Sequence, residues 1–407
     1  LGFVLLMLLT GTSAWAQQSN LDAHPNMPVK LTAVNGFNNL SVVSSTNGFG
    51  QNHFNNTGNA INNSDTQGAT HTAGVGVGSV WLEIRDAAAI GSQVYPAGSF
   101  AGISYRDLTA AAAANTVKIE TFLDAVSQES ITQSSLLASP IVGLVNPVAG
   151  IYTTKPFNRV RITFTSLALE VNLTVYNAII TKYAAAAPLV CNTPTAATLP
   201  AYPVSVNYAR TNVSGAGVAT VTNAENVLSN VPTDHASLAI EGGFVMTANL
   251  SVKHHTGPIP AGTFAGFRIQ NTTLLDVTAL GGLTINTYKT GVAGVRETFS
   301  GSTLLLGGGA LTGSGIQTVG FVTGLDFDEI QISISNLAGI GLGETMVYNV
   351  VLQQFCAADP ALVCNVPSPW IAPRFAATVS SPNTGISGGA AINSQVINAD
   401  ALVDDNL

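Results

Sequence analysis

The chain has 407 residues, of which 46% are hydrophobic and only 9% charged, and it carries a net charge of −8 at pH 7. Fourteen Lys plus Arg spread over that length supply no basic stripe for phosphates, which argues against a nucleic-acid partner. A mean hydropathy of +0.34 is too high for the weakly hydrophobic kind of disorder, and Asn, Ser, Thr, Gly and Ala take the place of the missing charges, as suits the outside of a cell.

In chain order, Leu1–Leu9 is an apolar run closed by Ala14-Trp15-Ala16 and followed by Gln17-Gln18. This reads as a signal peptide over 1–16 whose start is truncated, so the mature chain is expected to be exported and to begin near Gln17. No later stretch approaches the ~20 apolar residues of a membrane-spanning helix, so no transmembrane span is expected. The pattern that follows has period two. Val80–Ile84 reads as a strand with Trp81 in the core, Phe100–Ser104 as another, and Ala110–Thr116 is the one candidate for a short helix. Asn158–Thr165 alternates Val160, Ile162 and Phe164 against Arg159, Arg161 and Thr163, and Val171–Ile180 closes the set.

The same series then returns. Pro96-Ala97-Gly98-Ser99-Phe100-Ala101-Gly102 recurs as Pro260-Ala261-Gly262-Thr263-Phe264-Ala265-Gly266, Val175-Tyr176-Asn177 as Val347-Tyr348-Asn349, and Leu189-Val190-Cys191-Asn192 as Leu362-Val363-Cys364-Asn365. The strand Asp328–Ser335 keeps the apolar alternation as Ile330, Ile332 and Ile334, and puts Glu329, Gln331 and Ser333 where the first copy has Arg159, Arg161 and Thr163 on the wet face. The spacing widens from 164 residues at the turn to 173 at the cysteine, so whole domains are duplicated with small loop insertions. The expected organisation is a first β-sandwich repeat over 17–192, a Pro-containing linker 193–201, a second repeat 202–365, a Pro-rich linker 366–373 and the truncated start of a third repeat 374–407. The fold class is all-β: tandem antiparallel β-sandwich domains of jelly-roll or Ig-like type. The chain reads as a fragment of a longer protein.

The three cysteines are read through the same alignment. Cys191 and Cys364 hold equivalent places, Cys356 lies eight residues before Cys364, and in an oxidising compartment Cys356–Cys364 is the expected disulfide, with Cys191 left over. No CxxC is present, so these cysteines do not read as metal ligands.

Phe327-Asp328-Glu329-Ile330-Gln331-Ile332, the turn Pro260–Phe267 and the terminator Leu362-Val363-Cys364-Asn365 resemble repeats of large exported proteins of Bacteroidetes-type bacteria, cell-surface adhesins and adhesin-like proteins that are type IX secretion substrates. A second resemblance lies at the module openings. Asn398–Leu407 is similar to the Asn-Ala-x-Asp-Gly-Asp stretch of discoidin-like, galactose-binding jelly rolls, with Asp405 in place of the Gly. That resemblance implies a structural calcium near a sugar-binding end, and Asn230, Asp234 and Asp404 are the loop residues it points to; calcium wants several oxygen ligands, usually more than one of them a carboxylate.

A catalytic set is not evident. His254-His255 reads as an exposed loop pair, since adjacent strand residues point to opposite faces. Asp326, Asp328, Glu329 and Glu344 suggest a glycosidase pair, but the first copy has Lys155–Arg159 at the corresponding place. The expected function is a non-catalytic adhesin or stalk segment, with neighbouring repeats, glycans or cell-surface ligands as partners. The alternatives are calcium-assisted carbohydrate-binding modules and accessory repeats of a larger secreted enzyme.

Overall fold

The computed structural model describes residues 21–48, 53–73, 77–87, 95–107, 116–134, 143–167, 171–271, 282–301, 304–307, 315–335 and 343–356. The expected signal peptide, the second linker, the third repeat, Cys364, Asp404 and all but the last residue of the candidate helix 110–116 lie outside them; Thr116 itself opens a strand. The chain divides into two compact units, residues 1–184 and 185–407, and is all-β, built of antiparallel sheets packed as sandwiches.

The first unit holds β1 (Val29–Lys30), β2 (Leu40–Gly48), β3 (Ala69–Ala73), β4 (Val77–Asp86), β5 (Phe100–Asp107), β6 (Thr116–Leu123), β7 (Val126–Ser134), β8 (Val148–Tyr152), β9 (Arg159–Leu167) and β10 (Val171–Thr181). One sheet runs β2-β4-β9-β6-β7; the other runs β1-β10-β5-β8, with β3 also on β10. The period-two alternation does what it predicts. Val160, Ile162 and Phe164 of β9 turn inward with Val80, Leu82 and Ile84 of β4, and meet Ala101, Ile103 and Tyr105 of β5 and Val175, Ala178 and Ile180 of β10. Each Val, Leu, Ile or Phe among them contributes roughly 1.5–3 kcal/mol through burial. Trp81 departs from expectation. It sits between Val80 and Leu82, so the pleat turns it to the outer face, where it is half-buried.

The second unit holds β11 (Thr195–Ala196), β12 (Val204–Val206), β13 (Asn212–Thr222), β14 (Ala236–His254), β15 (Thr263–Asn271), β16 (Leu283–Tyr288), β17 (Glu297–Ser300), β18 (Leu305–Gly307), β19 (Gln317–Val322), β20 (Glu329–Ser335) and β21 (Gly343–Gln354). Its strands follow the first unit's scheme, with β14 doing the work of β3 and β4 together. The first part of β14 pairs with β21 and its last part with β20, so a single strand joins both layers into one folded sheet.

The repeated sequence motifs are local backbone devices. Val-Tyr-Asn is a β-bulge: the β10–β5 register skips Tyr176 and the β21–β15 register skips Tyr348. The extra residue resets the parity of the strand, so Val175 and Ala178 both face the core. Pro-Ala-Gly is a turn that needs positive φ, supplied by Gly98 (82°) and Gly262 (84°), whose N–H groups donate to the carbonyls of Thr153 and Thr323 at 2.7 Å. Four residues on, Gly102 lies opposite Gly150 and Gly266 opposite Gly320. A Cβ on Gly266 would lie 2.2 Å from the carbonyl oxygen of Val319, a backbone atom that cannot step aside. Gly266→Ala is therefore expected to destabilise the second unit by about 1–3 kcal/mol in urea unfolding.

The first copy of Leu-Val-Cys-Asn, Leu189–Asn192, read from sequence as the close of a repeat, lies in the opening of the second unit. Asn192 (φ 57°) donates its N–H to the carbonyl of Gln354 at 2.8 Å and accepts the N–H of Cys356 on its side-chain oxygen at 3.1 Å. Asn26 (φ 64°) does the same in the first unit with Lys182 and Ala184. The residue before each Asn is therefore held beside the end of the last strand. In the second unit these two positions are cysteines, and Cys191 is bonded to Cys356 with a Cα–Cα distance of 5.4 Å. The expected Cys356–Cys364 pairing is corrected: short spacing suggested it, but the closing antiparallel contact brings Cys191, not Cys364, to Cys356. The first unit has Pro25 and Ala184 at these places and no such bond.

Candidate functional site

A dense polar cluster lies on the outer face of the sheet β2-β4-β9-β6-β7. Cross-strand register sets Glu83 beside Arg161, Arg85 beside Arg159, and Phe122 beside Arg159 on the other flank. Glu83 is 1% exposed. One of its oxygens accepts Nε and Nη2 of Arg161 at 2.9 and 2.6 Å; the other takes Nε of Arg85 at 2.5 Å and faces Arg159 at 3.6 Å. The Arg161 guanidinium is also sandwiched between aromatic rings, 4.2 Å from the centroid of Trp81 and 4.3 Å from that of Phe122. At the edge of the cluster Lys118 pairs with Glu120 at 3.2 Å. Three guanidiniums thus share one carboxylate.

The second unit builds the same nest from different positions. Glu329 of β20 is 2% exposed and accepts Arg210 at 2.7 Å, Ser251 at 2.6 Å and Asn207 at 2.8 Å. Arg210 lies over Tyr288 at 4.2 Å, and its carbonyl accepts the side chain of Gln331. Tyr288 takes the place of Phe122, Ser251 that of Glu83 and Glu329 that of Arg159, so the acid has crossed to the neighbouring strand. The face expected to be wet is accordingly closed: Gln331 and Ser333 are buried as well, Gln331 donating to the carbonyl of Arg210 and Ser333 to the side chain of Asn249. Here one arginine answers one carboxylate. The alternating pattern correctly marked which face is apolar, but carried no signal that the other face is covered.

The other sequence candidates are engaged by their own surroundings. Asp326 accepts Lys289 and Arg296 at 2.6 and 2.7 Å, and these hydrogen bonds, Lys289 first, hold its carboxyl below the usual range. Asp328 accepts the N–H of Thr290, and Glu344 the hydroxyl of Ser237. Asn230 is exposed. Asp234, half-buried, accepts the hydroxyl of Ser229 at 2.7 Å and donates its N–H to the carbonyl of Val231, closing its own turn. In the first unit Asp65 pairs with Lys30 at 2.6 Å. Among the described residues no group of three or more His, Cys, Asp or Glu could hold a metal ion.

His254-His255 is not an exposed loop pair. His254 ends β14, its ring hydrogen-bonded to the carbonyl of Gly257 at 2.8 Å; half-buried His255 is hydrogen-bonded to Ser205 at 2.8 Å. Burial, with repulsion from Lys253 and His254, lowers His255 to about 3. Its neutral form is thus the folded one, while the unfolded chain takes up a proton near pH 6.5. The stability it supports is complete above about pH 6.5 and is lost as the pH falls from there towards 3, by a few kcal/mol at most. The acid limb of the second unit's stability curve is expected to flatten in His255→Gln.

No protein-family model and no curated protein matches the chain. Solved structures align with it over part or most of its length. The family 32 CBM from C. perfringens NanJ, in complex with galactose, is 15% identical, with a TM-score of 0.25, and the match covers 39% of this chain and 98% of that one. Allantoicase is 11% identical with a TM-score of 0.26, covering 81% of this chain and 94% of that one. TmCBM61 in complex with beta-1,4-galactotriose is 8% identical with a TM-score of 0.21, covering 36% and 90%.

Proposed function

We propose that the chain is an exported, non-catalytic run of β-sandwich modules that serves as a stalk or adhesin segment, with the export route and neighbouring modules of the Bacteroidetes-type repeat proteins it resembles. The observation that carries this reading is the bond between Cys191 and Cys356. It ties the opening of the second unit to the end of its last strand. Disulfides of this structural kind persist in oxidising compartments. A tether at this place also lets tension on the chain bypass the segment between the two cysteines, which are 165 positions apart.

What the two units share supports the same reading. Gly98 and Gly262, the bulges at Tyr176 and Tyr348, and the caps Asn26 and Asn192 all recur. So does the carboxylate that ties down the loop before β9 or β20: Glu129 accepts the N–H groups of Thr154 and Lys155, and Glu297 those of Gly324 and Leu325. Each of these devices shapes backbone. No helix among the described residues is long and apolar enough to cross a membrane.

The test is the thiol state of the protein taken from its own cells and alkylated at lysis. The reading expects Cys191 and Cys356 to be protected as one disulfide-linked peptide pair. Both recovered as free thiols would overturn export to an oxidising compartment.

A further inference from the structure

The outer face of the first unit's sheet is charged in a way its own residues do not balance. Among the described residues, the ion pairs of Arg85, Arg159 and Arg161 all go to Glu83, while Glu120, opposite Arg161 in the register, pairs with Lys118. Lys118 has Glu120, so two guanidiniums are in excess on a chain whose net charge is −8. Like charges held this close repel unless water or an anion intervenes. The second unit needs no such help, because Arg210, 39% exposed, and buried Glu329 match one to one. The first unit's arginines are also partly accessible, with 34, 20 and 25% of the Arg85, Arg159 and Arg161 side chains exposed. Trp81, half-buried at their side, adds an apolar surface.

We infer that this face binds an acidic polysaccharide through carboxylates set on successive sugars. The guanidinium fork matches a planar carboxylate in two parallel hydrogen bonds. Arg161 is already committed to Glu83 and to the two rings, which leaves Arg85 and Arg159 as the contacts. An extended chain lying across an antiparallel sheet meets half-buried Trp81 with the C–H faces of its rings. A polyuronate presents such planar carboxylates one per sugar along an extended chain. The binding is distinct from the stalk reading, which stands if it fails.

The experiment uses the full chain in affinity electrophoresis and calorimetry with polygalacturonate, its methyl ester and dextran sulfate. Wild type is expected to be retarded by polygalacturonate and not by the uncharged ester. The double variant Arg85→Gln/Arg159→Gln keeps the Arg161–Glu83 pair, and is expected to bind at least about tenfold more weakly with an unchanged far-UV spectrum. Arg210→Gln in the second unit is expected to bind as wild type does. No retardation by polygalacturonate, equal retardation by the ester, binding to dextran sulfate alone, or undiminished binding by the folded double variant would each overturn the inference.

Discussion

Replacing Cys191 and Cys356 together by serine is expected to lower the stability of the second unit by about 5 kcal/mol and to leave the first unit's transition in place. The bond closes a loop of 165 residues. In the chain-entropy account, its loss returns to the unfolded ensemble all the freedom that so long a loop removes. The first unit is the internal control. It has the same Asn cap and the same closing contact, but Pro25 and Ala184 where the cysteines would be. Calorimetry of the oxidised and the substituted chain should show one transition moved and the other fixed. If both transitions move, or neither does, the bond is not a private clasp of the second unit.

Glu83→Gln is the second large effect and falls in the other unit. The substitution keeps shape and removes the charge that three guanidiniums share. Breaking a buried ion pair from one side costs about 3–5 kcal/mol; because the arginines keep part of their hydration, the lower figure of about 3 kcal/mol is expected. Urea unfolding should show the first unit's midpoint falling with the second unchanged. Loss of less than about 0.5 kcal/mol, the range of an ordinary surface substitution, would mean that Glu83 is not the keystone of that face.

The fold was legible in sequence wherever one residue type answers one local demand. Period-two alternation gave the inward residues of β9 and β20, and the Gly of Pro-Ala-Gly marked a turn that only positive φ permits. Val-Tyr-Asn was visible as a repeat, yet nothing local reveals that its Tyr is the extra residue of a bulge. What remained hidden depends on contacts far apart in the chain. Cys191 meets Cys356 only once β21 closes against the opening segment, so spacing favoured the nearer Cys364. Glu329 reads as solvent-facing because the pattern fixes which side of a strand is apolar, not what covers the other side, and Trp81 read as core gave no hint of Glu83 on the outer face. The shared nest around them escaped the alignment of the two copies, since the acid sits on β4 in one and on β20 in the other.

The most direct test of the clasped-module account is to pull a single chain from its two ends, oxidised and then reduced. With Cys191 bonded to Cys356, tension should pass through the disulfide, and only the first unit should unravel. After reduction the second unit should unravel as well, adding roughly 600 Å of contour at about 3.6 Å for each of the 165 residues released. Two full unfolding events in the oxidised chain, or no gain in length on reduction, would contradict it.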